Sequence, residues 1–417
     1  MSNVSLHDDY PQGLEAYAWL ILSLLLIAQL VMSMGAYAYG PLAPFLREEF
    51  RLTRVEIGAL VSIFYFSSAA VAIPAGLLVD RLTAHLMLVV CLVIEGLPYC
   101  GLSWSTGFWT LAVFSAVSGV GYGIINQVSI KGVMAWFPAQ YRATAMGVKQ
   151  CGVTLAGALV AFFLPSLALT YGWKAGPVLL GISMLATAVI CFFLYREMPV
   201  HDAGDTSVRL GKIPKPSLKE TLNPNLLRVT LITPFLAFNQ GAVSTFLVLY
   251  LKEILQFSVT AAGYCLTVAM VAGTVGRVGW GMVSDRCFHG DRLTPAVILS
   301  FLSAIGATGL TFLPPGSSLW LPVFWSFICG VTMIGWNALL IVLFAELAER
   351  GREASAVGVG LTTNSLGFLV GPVVFGYVAD HLGYLSGWLM LVVSSGVSAL
   401  GFLRVAQTLK ASRRDIS

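Results

Sequence analysis

Gly76-Leu-Leu-Val-Asp80-Arg81 recurs in the second half of the chain as Gly281-Met-Val-Ser-Asp285-Arg286. Each copy closes a long apolar run with an acid–base pair. A second echo accompanies it: Gly119-Val120 is followed by Asn126, and Gly330-Val331 by Asn337 at the same interval. A chain that repeats itself once about its middle is built from two related halves.

The repeat sits in a sequence that water could not dissolve. Of 417 residues, 57% are hydrophobic and 11% charged, and the mean hydropathy is +0.83. A soluble domain carries about 25% charged residues, so the solvent here is lipid. Backbone groups in lipid must pair within their own segment, which leaves an all-α membrane protein as the expected class. Runs of about 20 apolar residues match the hydrocarbon thickness. Twelve are expected, near 17–46, 55–79, 84–103, 107–136, 141–168, 174–195, 227–251, 258–284, 293–313, 319–346, 354–379 and 385–408. They divide into an N-terminal six-helix half (1–195), a linker (196–226) and a C-terminal six-helix half (227–417). The linker holds HDAGDTS and GKIPKPSLKE, and reads as a flexible cytoplasmic segment with one short surface helix.

Placement of basic residues sets the orientation. With the N-terminus inside, sixteen of the 24 Lys and Arg fall on the cytoplasmic side, five on the other and three inside spans. Both termini are therefore expected in the cytoplasm, with the protein multi-pass in a plasma membrane, a bacterial inner membrane by expectation. The first 16 residues, MSNVSLHDDYPQGLEA, lack Lys, Arg and a cleavage site, so the first span should serve as its own insertion signal.

Several functions are excluded at this stage. Seven cysteines are scattered without a Cys-x-x-Cys pair and five histidines do not cluster, so neither a disulfide framework nor a metal site is expected. The phosphate loop Gly-x-x-x-x-Gly-Lys-Ser/Thr is absent, so no ATP-driven step and no cofactor is expected. No nucleophile–base pair stands in the spans, so the protein is not read as an enzyme. The net charge of +4 follows from topology, not from a nucleic-acid partner. A monomer is expected.

What remains are charges where charges are costly. Lys149 and Arg277 stand inside apolar runs, one in each half. A charge at that depth marks a pathway or a binding site by default. At about 1.5 Å per residue, Lys149 lies roughly 10 Å in from Arg142, and Arg277 roughly 12 Å in from Asp285. An ammonium and a guanidinium without a carboxylate partner invite an anion, with Arg as a two-pronged fork and Lys as a movable point charge. Lys131 is closer to its span end and reads as an interfacial anchor or vestibule charge before a ligand contact. Amides at mid-span add donors and acceptors: Asn126 and Gln127, Asn239 and Gln240, Asn337, Asn364. Tyr37, Tyr122 and Trp336 present apolar bodies with polar tips that could wall a cavity. Glycine stripes (147, 152, 157 and 273, 276, 281) fit close helix approach at the boundary between halves.

The doubled Gly-x-x-x-Asp-Arg loop resembles the best-known signature of the major facilitator superfamily, and the resemblance covers nearly the full length. Leu82-Thr83-Ala84-His85 departs from it, standing where the family has a glycine and further basic residues. The resemblance implies transport by alternating access. It places the fifth and eighth spans at the boundary between halves, so that Lys149 and Arg277 would reach one central cavity. Asp80, Arg81, Asp285 and Arg286 would then act in gating.

Gly276-Arg277-Val-Gly-Trp-Gly281 looks like the eighth span of monocarboxylate transporters and oxalate–formate exchangers, where an arginine binds the substrate carboxylate. Trp136-Phe137-Pro138-x-x-x-Arg142-x-x-Ala145-x-Gly147 is similar to their fourth-to-fifth connection. Gly273 stands where the monocarboxylate carriers place an aspartate, and the eleventh-span lysine of the exchangers is missing. The implied function is secondary active transport of a small organic anion, a mono- or dicarboxylate, by anion exchange (antiport) or proton-coupled symport. Protons or a counter-anion would be the co-substrate. Glu95 is the one carboxylate deep in a span, and the resemblance makes its third span peripheral. With no central His or Asp as proton carrier, exchange or protonation of the substrate itself is favoured, and Glu95 is the only deep candidate for carrying a proton. The alternative is efflux of a hydrophobic drug or metabolite, suggested by aromatic content. A non-transporting sensor is a third reading, against which the short ends count.

Overall fold

Each apolar run becomes a helix because its backbone has no other hydrogen-bond partner in lipid. The computed structural model describes residues 14–198, 223–348 and 352–414. Twelve helices long and apolar enough to cross a membrane lie among them. They are α1 Leu14–Phe50, α2 Arg54–Arg81, α3 Ala84–Leu102, α4 Phe108–Trp136, α5 Ala139–Tyr171, α6 Ala175–Leu194, α7 Pro224–Glu253, α8 Val259–Cys287, α9 Leu293–Thr311, α10 Trp320–Leu347, α11 Glu353–His381 and α12 Gly383–Arg414. All twelve expected spans are there, and no strand interrupts the described residues. The expected linker falls almost wholly outside the described residues.

The ends follow local chemistry. Thr83, Asn223 and Ser258 cap α3, α7 and α8 by accepting from the backbone N–H three residues on. Pro224 follows its cap at the first helical position, where the missing N–H costs nothing. Gly172 and Gly383, with φ of +82° at each, supply the left-handed turns that let α6 and α12 begin.

The chain forms two compact units. The first comprises Met1–Ala38, Ile63–Leu159 and Leu167–His201; the second comprises Tyr39–Ser62, Val160–Ser166 and Asp202–Ser417. In the first unit α3 packs between α4 and α6, with Phe64, Leu25, Met32 and Tyr99 fully buried. In the second, α7 packs on α11 and α9 on α12. Its core holds Trp280, Trp336, Phe344 and Phe402, with Phe246 stacked on Phe375 at 4.8 Å. Lipid offers helices no hydrophobic drive to associate, so such contacts stabilise by packing alone.

One irregularity positions the second unit's cation. α10 widens into a π-turn over Gly330–Ile334, where Gly335 N–H reaches back to the Gly330 carbonyl at 3.0 Å. A Cβ on Gly330 would lie 2.2 Å from the Ala269 carbonyl of α8, and one on Gly276 would lie 2.5 Å from that of Val331. Glycine alone permits this approach. Trp280 Nε1 donates to the same Val331 carbonyl at 2.9 Å. The α8 glycines 273 and 276 thus pack against α10 within their own unit, and Gly152 packs against α1 within its own. For these three the contact is packing inside a unit, whereas a Cβ on Gly147 or Gly281 would meet nothing within 4 Å.

Candidate functional site

Lys149 is completely buried on α5. Its Nζ donates to Asn126 Oδ1 of α4 at 2.8 Å and to Gln150 Oε1 at 3.3 Å. Among the described residues no carboxylate lies within ion-pair distance of it. Two residues singled out separately in the sequence, Lys149 and Asn126, are therefore one pair. Asn126 itself is exposed, so the buried ammonium is tied to an amide at the surface of its unit.

One turn before Asn126 stands Tyr122. Its ring packs against Phe64 at 5.3 Å and Tyr65 at 6.3 Å, both on α2. Tyr37 of α1 is buried and interacts electrostatically with Tyr65, so three phenols gather in this unit. Tyr65 and Gln150 carried no distinguishing signal in the sequence. Gln127 donates to the Ala72 carbonyl at 3.1 Å. Lys131 donates to the carbonyls of Val79 and Leu82, each at 2.6 Å, and so caps the C-terminal end of α2.

In the second unit Arg277 is half-buried on α8 beside Gly276. Three of the other expected contacts are engaged in tying helices together. Trp336, fully buried, donates to Gln240 Oε1 at 3.0 Å, joining α10 to α7. Asn239 Nδ2 donates to Ser395 at 2.9 Å, joining α7 to α12. Asn337 is half-buried. Asn364 differs: it is 4% exposed and neither atom of its amide has a hydrogen-bond partner. Its amide thus keeps both its donor and its acceptor free of protein partners among the described residues.

Of the expected gating residues, Arg81 and Arg286 are exposed at helix ends, and the side chain of Asp80 lies outside the described residues. Asp285 accepts from Arg292 at 2.5 Å, and Arg292 also donates to Glu346 at 3.1 Å and Ser284 at 3.0 Å. Burial opposes the Arg292 charge, but the bonds to Asp285 and Glu346 outweigh it and its pKa is raised. Because both carboxylates are well exposed, Arg292→Ala is expected to destabilise by only about 1 kcal/mol. A small drop in melting temperature of the purified protein would register it.

A denser network closes the other end of the second unit. Arg54, at the start of α2, donates to Glu253 at the end of α7 through Nη2 (2.7 Å) and Nε (3.2 Å). Arg47 of α1 donates to the same carboxylate, and Tyr384 of α12 does so at 3.1 Å. Asp380 of α11 accepts from the backbone N–H groups of Arg54 and Val55 at 3.1 and 2.8 Å. The Arg54 guanidinium lies 4.6 Å from the centre of the Tyr384 ring. Glu253, Asp380 and Tyr384 carry no signal in the sequence that would join them to Arg47 and Arg54, being far away along the chain.

Comparison with known proteins agrees with this architecture. The model of the Major Facilitator Superfamily matches residues 25–344 and 235–415. The hexuronate transporter of Bacillus subtilis strain 168 is 25% identical over 406 residues, covering 92% of this chain and 94% of that one. The membrane sensor protein UhpC of Salmonella typhimurium LT2 is 23% identical over 382 residues, covering 87% and 86%. Among solved structures, a bacterial homolog of the human lysosomal transporter Spinster, inward-facing and occupied, superposes with a TM-score of 0.80 at 18% identity, covering 94% and 97%.

Proposed function

The chain belongs to the Major Facilitator Superfamily, and we propose that within it the protein is a secondary active carrier of a small organic anion, a mono- or dicarboxylate. The observation that carries this is Lys149, a cation buried completely with only neutral oxygens as partners. Burying such a charge is costly unless something negative visits it. Arg277 is the counterpart in the second unit, with Asn364 offering an unfilled amide. A relative named for hexuronates, which are sugar carboxylates, supports the same substrate chemistry. Transport runs by alternating access, as exchange or proton-coupled symport, in a plasma membrane with both termini cytoplasmic. The clamp around Glu253 is then on the outer face.

Proteoliposome counterflow tests this, with D-glucuronate, lactate and oxalate as probes. The native chain should exchange at least one of them. Losing a charged hydrogen bond to the carboxylate costs about 1.5–3 kcal/mol, so Arg277→Ala should weaken exchange by about 10- to 150-fold. Exchange at the native rate in that variant, with normal membrane insertion, would remove Arg277 from the site.

Likeness to the sensor UhpC favours a second reading, in which the anion is bound but not carried. Thermal stabilisation by an organic acid without any counterflow of it would establish that reading.

A further inference from the structure

The first unit buries a second ionisable group that the anion site leaves unused. Glu95, on α3, is completely buried, and neither carboxyl oxygen has a hydrogen-bond partner. The space it occupies exists because residue 35 of α1 is glycine: a Cβ there would lie 2.7 Å from Glu95 Oε1. Tyr99 and Met184 close the same pocket, and the Tyr99 hydroxyl donates to the Gly35 carbonyl instead of to the acid. On the far side, Gly121 lets the α4 backbone approach Glu95 Cβ.

Among the described residues, no other ionisable group of this unit makes a hydrogen bond to the Glu95 carboxyl. Cys91 and Tyr99 share its helix; Tyr65 of α2 lies within electrostatic reach, with Tyr37 of α1 and Tyr122 of α4 beside Tyr65. Cys191 of α6 and Lys149 of α5 are electrostatic neighbours of Cys91. Every one of these but Lys149 is an acid. Lys149 is bonded to Asn126 and Gln150. A carboxylate without donors or a paired cation is not sustained in an apolar interior, whereas the neutral acid is.

We propose that Glu95 is a proton-binding site, loaded in this structure, through which anion transport is coupled to protons. The coupling rests on the anion reading of Lys149. Among the described residues of the unit, Glu95 is the fully buried carboxyl group and Lys149 the fully buried amine. A substrate anion at Lys149 and an ionised Glu95 would be two negative charges in one low-dielectric unit, so each disfavours the other. Anion binding therefore favours the protonated acid, and by linkage proton binding favours the anion. Both are carried together. The step itself is a simple transfer: when α1 withdraws from α3 at Gly35, water enters, the O–H bond of the acid breaks, and the proton passes to water as hydronium. The carboxylate reloads from hydronium on the opposite side of the membrane.

Two arms test this on the full-length protein in proteoliposomes, with Glu95→Gln as the isosteric variant. Infrared spectra need no substrate. The native protein should show a carboxylic-acid C=O band at neutral pH that Glu95→Gln lacks; no such difference overturns the proposal. The second arm uses D-glucuronate. Native exchange should weaken as pH rises, and external acid should drive its accumulation. In Glu95→Gln the pH profile should be flat and acid-driven accumulation should fall at least tenfold. A variant that accumulates like the native chain overturns the coupling. If the native chain fails to exchange D-glucuronate, lactate and oxalate alike, the anion reading fails, and the infrared arm alone decides Glu95.

Discussion

Lys149→Gln is expected to lose anion transport while keeping, or gaining, stability. The two effects carry opposite signs because they have different origins. Glutamine retains a donor toward Asn126, which the ammonium reaches at 2.8 Å, but removes the charge. For a bound carboxylate that is the loss of one member of a buried charge pair, worth about 2–5 kcal/mol. Affinity should then fall by about 30- to several-thousand-fold. For the empty protein the same change removes a buried cation that has only neutral partners, which relieves a desolvation penalty. Lys149→Arg is a sharper control, since it keeps the charge but forces a planar fork into a fully buried site. It should bind weakly and lower the melting temperature. Counterflow of an exchangeable probe and thermal melts of the three proteins decide between roles. A purely structural lysine would give the reverse pattern for Lys149→Gln: native exchange and a lower melting temperature.

The fold was open to reading because lipid leaves a backbone few options. An apolar run of about 20 residues must become a helix to satisfy its own polar groups, and twelve such runs became twelve helices. The π-turn in α10 was not legible. Gly330–Ile334 is as apolar as its flanks, and its widening makes sense only against Ala269 and Gly276 of α8. Charge in an apolar run was equally plain, so Lys149 stood out at once. Its pairing with Asn126 required α4 beside α5. Mid-span amides proved an ambiguous signal: Gln240 holds Trp336 and Asn239 holds Ser395, while Asn364 holds nothing. A sequence displays a polar side chain's capacity but not its partner. For the same reason the sequence offered Glu95 as a deep acid on a peripheral span, without the pocket that Gly35 and Gly121 form around it.

The clamp around Glu253 makes the second large prediction. Glu253 accepts from Arg47, Arg54 and Tyr384, so one carboxylate holds the end of α1, the start of α2 and the start of α12. Asp380 secures the first turn of α2 through two backbone N–H groups, where a carboxylate also favours the positive end of the helix. Backbone contact reinforces the charges. A Cβ on Gly58 would lie 2.2 Å from the Pro372 carbonyl, and one on Gly376 would lie 2.4 Å from that of Arg54. Glu253→Ala leaves two arginines facing each other without their shared acid. Breaking a fully buried pair costs about 3–5 kcal/mol, but these side chains are 20–26% exposed. Discounting for solvent leaves about 1–3 kcal/mol. In an alternating-access cycle that whole amount falls on the state in which this end is closed, which shifts the balance toward opening by about 5- to 150-fold. Spin labels at Glu49 and Ile254, both exposed, would report it in a background without the exposed Cys151 and Cys287. The inter-label distance should lengthen in Glu253→Ala and recover in Glu253→Asp only as far as the shorter side chain still reaches Arg54. Identical distance distributions in the native and Ala proteins would mean that the glycine-lined backbone contact between α2 and α11 holds this end closed without the charges.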